Sequence, residues 1–411
     1  MTVWLALAVL ALVITLAAAA RFPMAATLLW ILAVEATPDQ WFSGAHETVI
    51  GVEKGAGVAL VVLLGLRFGW RRDRYNPGFA FGAMFFTGVL HGLYPGLTLM
   101  SSLRTLIGSA APFAFGFVKT GPEFRRAVVR TVTIGPLINL ITGAVLAALH
   151  LHPIYTMEEN VFRLAGAGLP AFLGGFALIA IYAGLLEMLR PQPPGKPPAG
   201  WPPAGNLLEP ALLALNFTIL LLTGARTPLA LATLLILGVI IFKRNLMALA
   251  AAGAMLAIAI LFLGQFSFIR AVDLVRVGQA GNLSNRDLIW PYFEAAIAAS
   301  PWLGWGVGAG KMVVPTTHGI AQLIGTNAAH NEYLRIGCEG GLFGLTLLIL
   351  CMGLWAARGA RSLPIAETWF MRLVFIAFAV HSATDNTLIA TTSSVIFIWI
   401  TAVFSAPNEA T

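Results

Sequence analysis

Apolar residues run along this chain in blocks separated by short charged spacers. Blocks of roughly 18 to 22 residues match a helix crossing ~30 Å of hydrocarbon. The clearest fall at 55–68, 78–94, 103–118, 127–149, 165–188, 207–223, 228–242, 246–266, 340–356, 369–384 and 388–404. Ahead of them, 3–20 and 25–36 are parted only by Arg21, Phe22 and Pro23. The first lacks a basic leader and reads as a retained helix, and the second is too short to span comfortably. The pattern predicts an all-α integral membrane protein, a bundle of about 12 (12 or 13) transmembrane helices.

The spacers set the orientation. Arg71, Arg72 and Arg74 form one basic cluster, and Lys119, Arg125 and Arg126 another. Arg190 with Lys196, Lys243 with Arg244, and Arg358 with Arg361 complete the set. These five spacers alternate along the chain, so all can be cytoplasmic at once, as the positive-inside rule expects. A Pro-rich cytoplasmic loop, 190–206, holds seven prolines between Pro191 and Pro203. Their missing N–H donors forbid a helix, so it reads as a semi-rigid linker. The opposite side receives 150–164, the turn at 223–228, the link 385–387 and one long segment, 267–339. The chain thus divides into an N-terminal bundle (1–266), a large periplasmic loop containing short helices (267–339) and C-terminal transmembrane helices (340–411). A loop of that length is functional or disordered as a rule. Trp290, Tyr292, Phe293, Trp302, Trp305 and Tyr333 are the wrong composition for disorder.

Composition agrees. Of 411 residues, 58% are hydrophobic and only 10% charged, against about 25% charged in a soluble domain. That excludes a soluble enzyme. The net charge of +7 comes from Lys and Arg at the ends of apolar blocks, so it is not a nucleic-acid footprint. Cys338 and Cys351 lie at or in one predicted helix, where a structural disulfide is not expected.

Three clusters on the outer side carry candidate chemistry. Ser284-Asn285-Arg286-Asp287 precedes an apolar-spaced run, with Ser284 able to cap a helix and Pro291 a kink soon after its start. A guanidinium at a helix N-terminus makes a good anion site, although pairing of Arg286 with Asp287 or a lipid phosphate explains it as well. Arg226, between two apolar blocks, is costly so near the bilayer unless it meets an anion, water or a partner. Arg104 and Arg163 share that placement. His330-Asn331-Glu332-Tyr333-Leu334 ends the long loop: His330 can serve as a base near neutral pH and Glu332 is a second candidate, while a hydrogen-bonded structural histidine is the commoner role. The alternating Gly304, Gly306, Gly308 and Gly310 are similar to a phosphate loop only superficially, because Trp305 and Met312 occupy required Gly and Ser/Thr places. A close-packed turn is expected there. No metal-ligand spacing is seen, and no cofactor is expected.

In order, these elements resemble the O-antigen ligase and polymerase superfamily of bacterial glycan assembly. The resemblance rests on Thr223-Gly224-Ala225-Arg226, on Asn285 through Trp290, on Ser300-Pro301-Trp302-Leu303-Gly304-Trp305-Gly306, on His330 through Leu334, and on Glu339 through Leu345. Ala225 stands where the family often has Ser. The resemblance implies an inverting, metal-independent transfer of a glycan from undecaprenyl diphosphate to an acceptor sugar hydroxyl. The acceptor would be lipid A-core for a ligase, or a second lipid-linked glycan for an O-antigen or exopolysaccharide polymerase. It implies a bacterial inner membrane location with the active site facing the periplasm. It assigns diphosphate binding to Arg226, Arg286, Arg163 and Arg104, and catalysis to His330, Arg286 and Glu332. A carrier or flippase of lipid-linked glycans is the reading from another class.

Overall fold

The computed structural model describes residues 17–41, 46–158, 161–190, 208–244 and 286–405. The helices are α1 (Pro23–Glu35), α2 (His46–Phe68), α3 (Gly78–His91), α4 (Leu99–Ala114), α5 (Pro122–Ala148), α6 (Pro170–Leu189), α7 (Leu208–Thr223), α8 (Arg226–Phe242), α9 (Trp290–Ala299), α10 (Gly319–Ile324), α11 (Glu332–Gly359), α12 (Ile365–Ser382) and α13 (Thr392–Ser405). Each apolar block within the described residues from 55 onward became a helix. Five helical stretches are long and apolar enough to cross a membrane, and α3, α7, α8 and α13 are shorter apolar helices. This is an all-α membrane bundle. The expected 12 or 13 crossings reach beyond the described residues, because 246–266 and most of 3–20 lie outside them. So does the Pro-rich run 191–203.

Helix α6 is the pillar of the bundle. Apolar on every face, it is buried along nearly its whole length, as such a helix must be. It packs against α5, α7, α8, α12 and α13. Close approach needs glycine at two points: a Cβ on Gly174 would stand 2.8 Å from the Ala225 Cβ, and one on Gly175 2.8 Å from Thr392 Cγ2. At one end of this bundle the buried Arg125 of α5 bridges Glu367 of α12 at 2.8 Å and Glu187 of α6 at 3.4 Å. A buried cation needs such partners.

Two features depart from the expected outline. A small antiparallel hairpin, β1 (Tyr155–Glu158) and β2 (Val161–Leu164), pairs Thr156 with Arg163 in a segment expected to be plain loop. Tyr, Thr, Val and Phe suit a pleated surface, and the pairing satisfies backbone groups next to the bundle. Further along, α11 begins at Glu332, so the last residues of the expected loop are already helical.

Residues 286–331 form a subdomain with its own small core, in which Ile289, Phe293, Val313, Val314 and Ala329 pack with Leu97 and with Cys338 of α11. Its tryptophans are anchored: Trp290 Nε1 donates to Ala329 O at 2.9 Å and Trp305 Nε1 to Ala296 O at 2.7 Å. The subdomain is stitched to the bundle at a break in α11, where Gly341 has φ 57°. A break frees helix carbonyls and N–H groups, which must find other partners. They do: Trp305 N–H donates to Cys338 O and Gly306 N–H to Glu339 O, while Leu342 N–H donates to Pro301 O and Phe343 N–H to Trp302 O, all at 2.8–3.0 Å. The alternating glycines are thus the close-packed turn expected of them. Gly304 has φ 67°, and a Cβ there would lie 2.5 Å from the amide nitrogens of Gly340 and Gly341.

Candidate functional site

The link between α12 and α13 gathers residues from four distant parts of the chain. Arg286 Nη1 donates to the carbonyl oxygen of Thr384. The Thr384 hydroxyl lies 3.1 Å from that of Thr227, the residue after Arg226. His330 Nδ1 stands 3.2 Å from Asp385 Oδ1. Arg163, on β2, donates from Nε to Thr223 O at 2.8 Å, so it is tied to the turn that leads into Arg226.

Each side chain is held by local structure. Arg286 sits in a single 3-10 turn (Arg286–Leu288) ahead of α9, not in the first turn of an α-helix as the sequence suggested. Pro291 occupies that first turn, where a missing N–H costs nothing, and so starts α9 rather than kinking it. Ser284 lies outside the described residues. Arg226 opens α8 two residues after Gly224, which has φ 65°. Ala225 is the N-cap of α8 and offers no side-chain cap, but its own N–H meets the Thr223 hydroxyl at 3.3 Å. Thr223 therefore orders this turn although position 225 offers no hydroxyl.

His330 has φ 47°, unusual for a residue with a side chain. The next residues along the chain fix it. Asn331 caps α11, its Oδ1 accepting from Tyr333 N–H at 3.0 Å and Leu334 N–H at 3.3 Å. Tyr333 in turn donates its hydroxyl to Ala379 O at 2.8 Å, clamping the start of α11 to α12. The left-handed residue is thus overdetermined by its surroundings, a pattern that clusters at functional sites.

Asp385 was not among the residues singled out from the sequence. Its Oδ1 faces His330, and its Oδ2 lies 3.8 Å from His381 Nε2. Burial alone would push this carboxyl up. The hydrogen bond from His330, the charges of the two histidines and the Asn386 N–H outweigh it and hold the group at about 2. An ionised Asp385 accepts a hydrogen bond from His330 Nδ1–H, which leaves Nε2 as the basic nitrogen, the relation that orients a catalytic imidazole. The hint in the sequence was a lone acid in a short link between two apolar blocks, four residues after His381. No spacing rule joins positions 330 and 385.

Glu332 has a different role. It is buried, with Oε1 accepting from Leu388 N–H at 2.7 Å and Oε2 from Arg335 Nε at 2.6 Å, and Arg335 also meets Glu339 at 2.8 Å. Both oxygens are committed to anchoring α11 beside the link. Arg104 lies exposed on α4; among the described residues it makes no hydrogen bond or ion pair with the Thr384–Asn386 link. Its neighbour Ser102 donates to Val307 O at 2.7 Å, which places α4 against the glycine turn instead.

The arrangement offers an oriented imidazole beside guanidiniums at one end of a membrane bundle. Such a set can accept a proton and stabilise an anion together. Residues 211–349 match a family model described as O-Antigen ligase. The matched span takes in Arg226, Arg286, His330 and Glu332, and leaves Arg104, Arg163 and Asp385 outside. No curated protein matches the chain.

Proposed function

We propose, from the O-antigen ligase domain that this membrane protein carries across residues 211–349, that the chain transfers a glycan from undecaprenyl diphosphate to a sugar hydroxyl of lipid A-core at the periplasmic face of a bacterial inner membrane. The observation that carries this reading is the convergence of Arg286, His330 and Thr227 on Thr384 and Asp385. His330 Nε2 takes the proton of the acceptor hydroxyl as its oxygen attacks the anomeric carbon. The bond from that carbon to the phosphate oxygen breaks, and its electron pair leaves on the diphosphate. Attack from the opposite face inverts the anomeric configuration. Arg286 and Arg226, with Arg163 behind them, stabilise the charge that grows on the leaving group, the electrostatic contribution that is commonly the largest. Glu332 acts as a positioning residue through Arg335 and Leu388. A polymerase would share every step and differ only in taking a second lipid-linked glycan as acceptor.

The test is transfer by the purified chain in nanodiscs, with a lipid-diphosphate-linked glycan and lipid A-core supplied. The product should carry the inverted linkage, and transfer should persist in excess EDTA. A retained linkage or loss of turnover on chelation would contradict the mechanism. Transfer only to a second lipid-linked glycan would move the assignment to a polymerase.

A further inference from the structure

A second cationic feature lies at the far end of α11. This element starts at Glu332 beside the candidate site, breaks at Gly341 and continues to Gly359; the segment after the break is about 27 Å long at 1.5 Å per residue. There it borders a cleft of about 350 Å³ lined by Arg71, Arg72, Arg74 and Arg358 together with Asp73 and Trp355. Small-molecule sites span roughly 300–1,000 Å³, so the space suits a compact headgroup.

The walls are built, not splayed. Trp355 Nε1 donates to Asp73 Oδ2 at 2.9 Å, and Asn76 Nδ2 reaches the same oxygen at 3.2 Å. Arg71 donates from Nε to Gly116 O at 2.6 Å, and its N–H meets Phe117 O at 2.8 Å. The Arg358 guanidinium lies 5.4 Å from the centre of the Tyr75 ring. Four arginines thus line the cleft with one carboxylate, Asp73, that is already bonded twice. Among the described residues, none of the four forms an ion pair within 4.0 Å. Like charges gathered this closely repel, and an anion is the natural occupant.

The surroundings decide what kind of anion. Leu66, Phe68, Trp70 and Phe79 are exposed on the adjoining ends of α2 and α3, and Leu354 on α11. Apolar surface runs up to the cleft, and an aromatic residue at such a border marks a membrane interface. A soluble anion has no use for that surface, whereas an acyl chain does. We propose that the cleft binds the phosphate headgroup of an anionic phospholipid of the leaflet beside it, with the acyl chains lying along α2 and α3.

Native mass spectrometry of the delipidated full chain tests this, with short-chain phosphatidylglycerol, short-chain phosphatidylcholine and inorganic phosphate titrated separately. Phosphatidylglycerol should bind in preference to both. Arg72→Gln with Arg74→Gln should weaken it roughly thirtyfold, from about 1 kcal/mol per interfacial arginine. Arg71 is left intact because it holds Gly116. Arg126→Gln with Arg361→Gln removes the same charge from exposed positions outside the cleft and should cost little. An equal loss in both double variants would mean a diffuse field and overturn the site. So would equal binding of phosphatidylcholine. Inorganic phosphate binding as tightly as phosphatidylglycerol, and lost in the cleft variant, would overturn the lipid as occupant. A double Lys variant at 72 and 74, which keeps charge but not the fork, should bind between wild type and the Gln variant.

Discussion

His330 and Asp385 form the smallest unit on which the mechanism depends. Nδ1 of the imidazole faces a carboxylate 3.2 Å away, and that carboxyl is held at about 2, so it stays ionised at any pH where a glycan transferase works. Asp385→Asn keeps the size but removes the charge. Transfer should fall about 10²–10⁴-fold, the usual worth of an oriented base, with donor binding nearly unchanged. Donor binding lost in step with transfer would make Asp385 a structural residue and remove it from the proton path. At this scale the sequence was half legible. His330 and Arg286 stand out as ionisable residues in an apolar chain, whereas Asp385 and Thr384 gain their meaning only from residues 55 to 98 positions away.

Among the elements, the join between the 286–331 subdomain and α11 sets where Arg286 and His330 sit. The motifs at 300–306 and 339–345 bond to each other across the break at Gly341. Spacing made both visible but could not reveal the pairing, since backbone bonds between loop and broken helix leave no periodic trace. Gly304→Ala forces a side chain into a left-handed residue 2.5 Å from two amides, a strain of about 1–3 kcal/mol. The melting temperature should drop and transfer should fall with it. Gly353→Ala, in α11 with nothing within 4 Å of the added methyl, should be neutral or stabilising by about 0.5–1 kcal/mol. Equal behaviour of the two variants would show that the join does not hold the subdomain. The hairpin at 155–164 was missed for a related reason: two four-residue strands are too short to stand out from a loop.

Over the whole molecule, the alternation of basic spacers predicts that the candidate site and the arginine cleft open on opposite sides of the membrane. Gln322→Cys on α10 and Ser362→Cys beyond α11 are both exposed. In a background lacking Cys338 and Cys351, an impermeant thiol reagent applied to intact cells should label the first and spare the second. Labelling of both, or the reverse, would break the topology. Hydrophobic blocks were enough to read the bundle, because a lipid-facing helix must announce itself in composition. That Arg286, His330 and Thr227 meet at Thr384 and Asp385 could not be read from spacing, since it depends on which helices neighbour one another around α6. The central claim, that His330 removes the acceptor's proton while the arginines hold the diphosphate, is tested most directly by one comparison. Purified wild type and His330→Ala, in nanodiscs with lipid-diphosphate-linked glycan and acceptor, are assayed side by side for donor binding and for turnover. The account predicts wild-type donor affinity with turnover abolished, because a base acts mainly in the transition state. Normal turnover by His330→Ala, or donor binding lost in step with turnover, would contradict it.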